Sequence, residues 1–350
     1  MVIISDISKQ AGVSVSTVSK VLNNNTKISP DTRDRVLKVV DEMGYVPDEA
    51  ARKLRLGVRS RKRLTSNVGV IACGRHIFRN PYYTELLEAL GEELVRRNYH
   101  MEFAYASWML LANPTLFSKV IHSANIDGLI LLNTSGADHT LYEKIEGRAN
   151  AVISVAGEFV EGMDSVCVDH FRAGTDMVDY LAGLGHVRIG FVGDCNDMKG
   201  MYGGYREGLR KNSLDYDGTM AAGDSYGGSD FLSGMEKGGE YMKKVMTAGN
   251  KLPTAVIAAK DTMAIGAVNA VREKGLKVPE DISVTGFGDL DSARGFTPGI
   301  TTVGFNEKET ARLSVSRLLE RVESPWLKPV SITVSHEIVR RESCLQNKKP

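Results

Sequence analysis

Three cap signals in the first forty residues constrain this chain more than anything else in it. Ser5 is placed to cap a first helix, DISKQAG, which Gly12 would end, because a residue tolerant of positive φ is wanted there. Ser14 caps a second helix, VSTVSKVLNN, whose Val18, Val21 and Leu22 fall together at spacings of three and four. Val15, Ser16, Ser19, Lys20 and Asn23 then share the opposite face. Ser29-Pro30, a cap residue followed by proline at the first helical position, opens a third helix. Its core stripe is Val36, Val39, Val40 and Met43. Two short helices joined at A-G-V-S, with a third to cover them, make a helix-turn-helix unit. The small polar face of the second suits the major groove of DNA. Any amphipathic three-helix bundle shares this spacing, so spacing alone leaves plain packing open.

Charge separates the two ends of the chain. The net charge is +1, yet residues 1–66 hold 13 Lys and Arg against seven Asp and Glu, and the remainder holds 31 against 36. A basic end on an acidic body points to a polyanion partner for that end, a solvated face being the bland alternative. No apolar run approaches the ~18 residues that span a bilayer, and MVIISDISKQ is too short an apolar stretch for a secretory signal. A cytoplasmic protein without membrane contact is expected. Cys73, Cys167, Cys195 and Cys344 are scattered with no CxxC pair, so neither a metal site nor a disulfide framework is expected. No cofactor is expected either.

From Asn67 onward, strand-like runs alternate with helical ones. NVGVIAC, HMEFAYA, DGLILLN and NAVISVA form one series; VRIGFVG, TAVIAAK and DISVTGFG form another. Short apolar strands separated by helices predict parallel sheets in doubly wound domains. Two series imply two lobes, with a ligand cleft between them.

The run ISDISKQAGVSVSTVSKVLNNNTKISPDTRDRVLKVVDEMGYVP resembles the headpiece of LacI/GalR-family transcription regulators, and the resemblance continues to about Arg341. It implies a helix-turn-helix headpiece over 1–47 and a hinge helix with basic linker over 48–66. Residues 67–344 would then be a periplasmic-binding-protein-like body. Its N-lobe would hold about 67–164 and 305–328, its C-lobe about 165–304 and 329–344, with crossings near 165, 304 and 329. By motif position Val15, Ser16 and Lys20 would read bases. Lys20 stands where the family usually has arginine, and so lacks the planar bidentate fork. Thr17, Ser19, Asn23, Lys27 and Thr32 would contact backbone phosphates. In DEAARKLRLG, Ala51 and Leu54 would enter the minor groove, Leu54 as a wedge. That segment is too short to hold as a helix alone, and would fold when two copies pack on an operator.

The same resemblance places an allosteric effector in the cleft and makes the protein a homodimeric repressor of double-stranded operator DNA. YYTELLEALGEELVRR and FLSGMEKGGEYMKKVM are the candidate dimer helices. No apolar heptad tail follows IVRRESC, so a tetramer is not expected. Effector contacts map to Phe78, Asn80, Tyr82, Phe171, Met201, Lys260 and Asp289. Met201 replaces a usual arginine, Lys260 a usual asparagine, and Gly288-Asp289 a usual Asp-Asp. Groups that grip sugar hydroxyls are therefore depleted, while Lys260 adds a cation that favours a sugar phosphate or carboxylate. Sugar, sugar phosphate, carboxylate and nucleobase all stay open as effectors, as does an internal pairing of Lys260 with Asp261 or Asp289.

Two rival readings need weighing. Gly223-Asp-Ser225-Tyr-Gly227 matches the G-x-S-x-G elbow of esterases, but the preceding DYDGTMAA lacks a clear apolar strand. A free solute-binding protein would carry an export signal in place of a headpiece.

Overall fold

The computed structural model describes residues 4–22, 28–43, 64–74, 77–122, 125–134, 139–157, 160–224, 231–248 and 251–347. They divide into two compact units between Arg63 and Leu64.

The first unit holds α1 (Ile4–Ala11), α2 (Val15–Leu22) and α3 (Pro30–Glu42). Gly12 sits at φ 65°, and the Val13 amide folds back to donate to the Ser8 carbonyl at 3.1 Å. This closes α1 in a Schellman-type turn. Ser14 Oγ accepts from the Thr17 amide at 3.1 Å, the expected N-cap of α2. Pro30 opens α3, again as expected. Ser5 is not a cap: α1 already begins at Ile4, whose side chain packs on the bundle core and draws the first turn inward. Ile7, Ala11, Val18, Val21, Val36 and Val39 are buried together. Each branched side chain contributes about 1.5–3 kcal/mol on burial.

The second unit contains two six-stranded sheets. The N-lobe sheet comprises β1 (Asn67–Ala72), β2 (His100–Ala106), β3 (Gly128–Leu132), β4 (Ala151–Val155), β5 (Asp164–Val168) and β11 (Ser331–Val334). Its order is β11-β5-β4-β3-β1-β2, all parallel. The C-lobe sheet comprises β6 (Ile189–Val192), β7 (Ala221–Ala222), β8 (Ala255–Ala258), β9 (Ser283–Phe287), β10 (Thr301–Phe305) and β12 (His336–Val339). Its order is β12-β10-β9-β8-β6-β7, with β12 alone antiparallel. Every residue of β3, β6 and β8 is buried, as sheets covered on both faces require.

Helices clothe both faces of each sheet. In the N-lobe, α4 (Pro81–Arg96) and α13 (Glu307–Glu323) cover one face through Leu86, Leu90, Val315 and Leu318. The short helices α5 (Ser107–Leu111), α6 (Pro114–Val120) and α7 (His139–Ile145) cover the other. In the C-lobe, α8 (His170–Gly183) and α9 (Met201–Lys211) pack on one face. On the other, α10 (Phe231–Ala248) lies on α11 (Asp261–Glu273) beside the short α12 (Asp291–Arg294).

The chain crosses between lobes three times, after β5, β10 and β11. The first and third crossings fall a few residues later than 165 and 329, because β5 and β11 pair in parallel at the N-lobe edge, Ser165 to Val168 alongside Ser331 to Val334. A buried ion network fixes that edge. Asp164 receives Arg317 Nε at 2.7 Å and the Val330 amide at 2.9 Å, with Arg321 Nε at 3.0 Å. Arg317 also donates to the Lys328 carbonyl at 2.7 Å.

Candidate nucleic-acid interface and interlobe cleft

The outward face of α2 is set by its inward one. Val18 and Val21 are buried, so residues about 180° around the helix turn to solvent. Val15 is 37% exposed, Ser16 and Lys20 are exposed, and Thr17 and Ser19 are half-buried. The hydroxyls of Thr17 and Thr32 take part in capping, at 2.9 Å from Ser14 Oγ and Ser29 Oγ respectively. Asn23, Lys27, Ala51 and Leu54 lie outside the described residues, as does the linker to Arg63.

In the body, residues that follow the strands gather where the carboxyl ends of the two sheets meet. Asn80 caps α4 by accepting from the Tyr82 amide at 3.1 Å. Pro81 then sets the first turn, which holds Tyr82 half-buried at the lobe junction. An aromatic run crosses from one lobe to the other. Tyr82 meets Phe305 at 5.1 Å between centroids, Phe305 meets Phe287 at 5.3 Å, and Phe287 meets His170 at 4.9 Å. Phe287 packs against the buried clusters of both lobes. On either side, Phe78 of the N-lobe is 41% exposed and Phe171 of the C-lobe 37% exposed.

The polar groups of the C-lobe floor have internal partners. Asp289, held at φ 52°, is bound by Arg341 through a short hydrogen bond, with Arg294 at 3.6 Å. Asp261 accepts from Thr302 Oγ1 at 2.6 Å and from the Leu290 amide at 2.8 Å. Burial pushes the Asp261 carboxyl up to about 6, against the pull of these two bonds. A pairing of Lys260 with either acid was one expectation; the contacts described for those carboxylates go to the partners just named. Lys260 stands at the N-cap of α11 with no side-chain cap bond, and burial holds its ammonium below the usual lysine range. Burial also lowers the His170 imidazole, which Asp197, Asp169, His336 and Lys260 perturb through charge. Met201 is only 5% exposed and belongs to the C-lobe core.

His170, Phe287, Phe305 and Arg341 are site residues that motif reading missed. The signal was present for three of them: each lies at the carboxyl end of a strand or directly after one, where doubly wound folds place ligands.

One expectation needs amendment. DYDGTMAA does contain a strand, the two-residue edge β7, which pairs with β6. Ser225 itself lies outside the described residues, and the neighbouring Asp224 accepts from the Tyr241 hydroxyl at 2.6 Å. Among the described residues no cluster of His, Cys, Asp and Glu could hold a metal, and no helix is long and apolar enough to cross a membrane.

A three-helix unit with a polar outward helix, followed by two doubly wound lobes, is the architecture of a DNA-binding regulator. Comparisons agree. Residues 3–48 match the model of bacterial regulatory proteins of the lacI family, and residues 178–344 match the periplasmic binding protein-like domain. The HTH-type transcriptional regulator MalR of Clostridium butyricum is 28% identical over 348 residues, covering 97% of this chain and 98% of that protein. The HTH-type transcriptional repressor PurR of Haemophilus influenzae is 27% identical over 326 residues, covering 92% of this chain and 91% of that one. The fold is shared with a transcriptional regulator CelR–cellobiose complex at TM-score 0.67 and 24% identity, covering 98% of this chain and 100% of that chain. It is shared too with the lac repressor dimer bound to operator and the anti-inducer ONPF, at TM-score 0.68 and 22% identity, covering 98% and 99%. The chain belongs to the lacI family and is a DNA-binding transcriptional regulator.

Proposed function

We propose that this regulator is a repressor of a carbohydrate-utilisation operon that binds a pseudo-palindromic operator as a homodimer. A sugar or sugar phosphate in the interlobe cleft would control it. The observation that carries the DNA half of this reading is the outward face of α2, where exposed Ser16 and Lys20 back onto buried Val18 and Val21, and Val15, 37% exposed, stands at the flank. On this reading Val15, Ser16 and Lys20 read bases, and Thr17, Ser19, Asn23, Lys27 and Thr32 set register on the phosphates. Ala51 and Leu54 enter the minor groove. Relatives named repressors support the direction of control.

For the effector, the cleft rim of Phe78, Asn80, Tyr82 and Phe171 with Lys260 suits a ring carrying an anionic group. Solved neighbours in complex with cellobiose and, from Enterococcus faecium, with ribose favour a sugar ring. Met201 and Asp289 contribute shape more than contacts, given the burial of one and the arginine pairing of the other. A second reading, a carboxylate or nucleobase, is favoured by the aromatic run Tyr82–Phe305–Phe287–His170. Exposed Val95 on α4 (64%) and Leu232 on α10 (75%) support dimerisation through those helices. The protein acts by binding, without catalysis, in the cytoplasm.

The test has two arms. In vitro selection with the full-length protein should enrich an inverted repeat, and failure to enrich any sequence refutes the DNA reading. A thermal-shift screen over sugars, sugar phosphates, carboxylates and nucleobases should yield a ligand that raises Tm and changes operator affinity. A ligand that stabilises without changing operator affinity refutes allosteric control. Light scattering should give the mass of two chains. Leu54→Ala should weaken operator binding and spare dimerisation.

A further inference from the structure

The chain passes from the first compact unit to the second between Arg63 and Leu64. Residues 65–67 are then tied into a knot at the N-lobe sheet. Asp127, fully buried and directly before β3, accepts from the Thr65 amide through Oδ1 at 2.9 Å and from the Ser66 amide through Oδ2 at 2.7 Å. Ser66 is held at φ 62°, a region that residues other than glycine rarely adopt and keep only where their surroundings fix them. Its carbonyl accepts from the His100 amide at 2.8 Å, and the Asn67 carbonyl accepts from the Asp127 amide at 2.9 Å. The Asn67 amide donates to Thr65 Oγ1 at 3.2 Å, and its side chain donates to the Asn125 carbonyl at 3.1 Å. Burying a carboxylate is costly, and starting a strand does not require one. Two oxygens that grip consecutive amides fix the peptide between them in both place and orientation.

From this knot β1 and β3 lead to the cleft. They run parallel in unbroken register from the pair Val68 and Gly128 to the pair Ala72 and Leu132, and all of these residues are buried. At the carboxyl ends Asn133, itself at φ 58°, donates from Nδ2 to the Cys73 carbonyl at 3.0 Å, and the Cys73 amide donates to the Leu132 carbonyl at 2.8 Å. A side chain thus clasps the strand pair at each end, across roughly 20 Å. Strands buried on both faces of a close-packed sheet shift together. Resting on the reading that operator and cleft are coupled, we infer that Asp127 is the positioning residue of that coupling. It makes Thr65 and Ser66 part of the sheet, so a displacement at the cleft end of β1 and β3 reaches the start of the headpiece tether without slack. Without the carboxylate, Thr65 and Ser66 become further length of tether. Chain statistics make that worth less than about two-fold in operator affinity. What is lost is the coupling.

The test uses the full-length protein and the duplex that it selects from a random library. Hydrogen exchange is followed by mass spectrometry with and without that duplex, and operator affinity by fluorescence anisotropy. In the wild-type protein the duplex should slow exchange about five-fold at the cleft end of β1 and β3, near Cys73 and Asn133. Asp127→Ala should abolish that response while the duplex still protects α1 to α3. It should also speed exchange of the Thr65 and Ser66 amides about ten-fold. Asp127→Asn, which keeps one acceptor, should fall between, and it carries the test if the alanine variant does not fold. Leu141→Ala opens a cavity under α7 of the same lobe and leaves the knot in place. It should lower the denaturation midpoint yet keep the full response. A wild-type response in the Asp127 variants, or an equal loss in Leu141→Ala, overturns the assignment and leaves the regulator reading standing. No cleft response in the wild-type protein overturns allosteric coupling and the assignment together. Failure to select any sequence overturns the DNA reading, and the assignment with it.

Discussion

The ring of Tyr82, in the first turn of α4, meets the ring of Phe305, the last residue of β10, edge-on at 5.1 Å and 85°. Tyr82 belongs to the N-lobe, while Phe305 ends a C-lobe strand where the chain crosses back. In that strand Phe305 pairs in register with His336, the first residue after the third crossing. His336 in turn lies 3.1 Å from Asp176 on α8. One aromatic contact thus joins two crossings to the mouth of the cleft. Such a pair contributes about 0.5–1.5 kcal/mol beyond its buried area.

Replacing Phe305 with alanine should therefore cost about 2 kcal/mol, below the 3–5 typical of a fully buried phenylalanine, because the ring is half-buried. Denaturant titration reads the loss. Hydrogen exchange should quicken at the crossings near residues 169, 306 and 335 and stay unchanged in the headpiece.

Asp261 predicts a pH dependence. Its folded carboxyl is raised from 3.8 to about 6, mainly by burial, so the folded state holds the proton more tightly than the unfolded state does. The favourable contribution is complete below about pH 4 and is lost as pH rises through 6, in all roughly 3 kcal/mol. Asp261→Asn should flatten stability against pH between 4 and 6.5. A variant as steep as the wild type there would disprove the assignment.

Backbone approach between α10 and α11 separates two glycines. A Cβ on Gly266 would stand 2.0 Å from the Met235 carbonyl oxygen and 2.9 Å from the Gly239 nitrogen, whereas one on Gly183 meets nothing within 4 Å. The helical gain from Gly to Ala is about 1 kcal/mol at most, and forced separation of two helices exceeds it. Gly266→Ala should lower stability by about 2–3 kcal/mol and Gly183→Ala should raise it slightly, both read from denaturation midpoints.

The Asp164 network supplies a double-mutant cycle. Asp164→Ala removes the buried carboxylate shared by Arg317, whose side chain is 9% exposed, and Arg321, leaves Arg317 with Glu320 and the Lys328 carbonyl, and should cost about 3 kcal/mol. Asp164→Leu combined with Arg317→Met should cost clearly less than either single change. Additive losses would show that the two charges do not act as a pair.

Local signals were legible in the sequence where they are completed locally. Gly12, Ser14 and Ser29-Pro30 act within one turn, and the headpiece follows them; Ser5 misled because tertiary packing of Ile4 added two residues to α1. The apolar strands were legible because parallel sheets bury them from both sides. The partner of Asp289 was not, since Arg341 lies 52 residues away. The edges of the lobes were not legible for the same reason: Asp164 and Val330 are brought together only by sheet pairing. The aromatic run needed the crossings to be placed before Phe287 and Phe305 could be seen as neighbours of Tyr82.

The pairing of β11 with β5 bears on how the protein is made. A ribosome releases the first five N-lobe strands by residue 168, but the second helix on the α4 face and the strand that ends their sheet arrive only with residues 307–334. Until then the N-lobe has an open edge at β5 and a bare apolar face beneath Val315 and Leu318. The headpiece can close on itself as soon as it emerges, while the N-lobe must wait for the C-lobe to be synthesised. A chain cut short anywhere between α8 and α13 would carry the three headpiece helices on a body with exposed strand and core, the kind of surface that chaperones and proteases recognise.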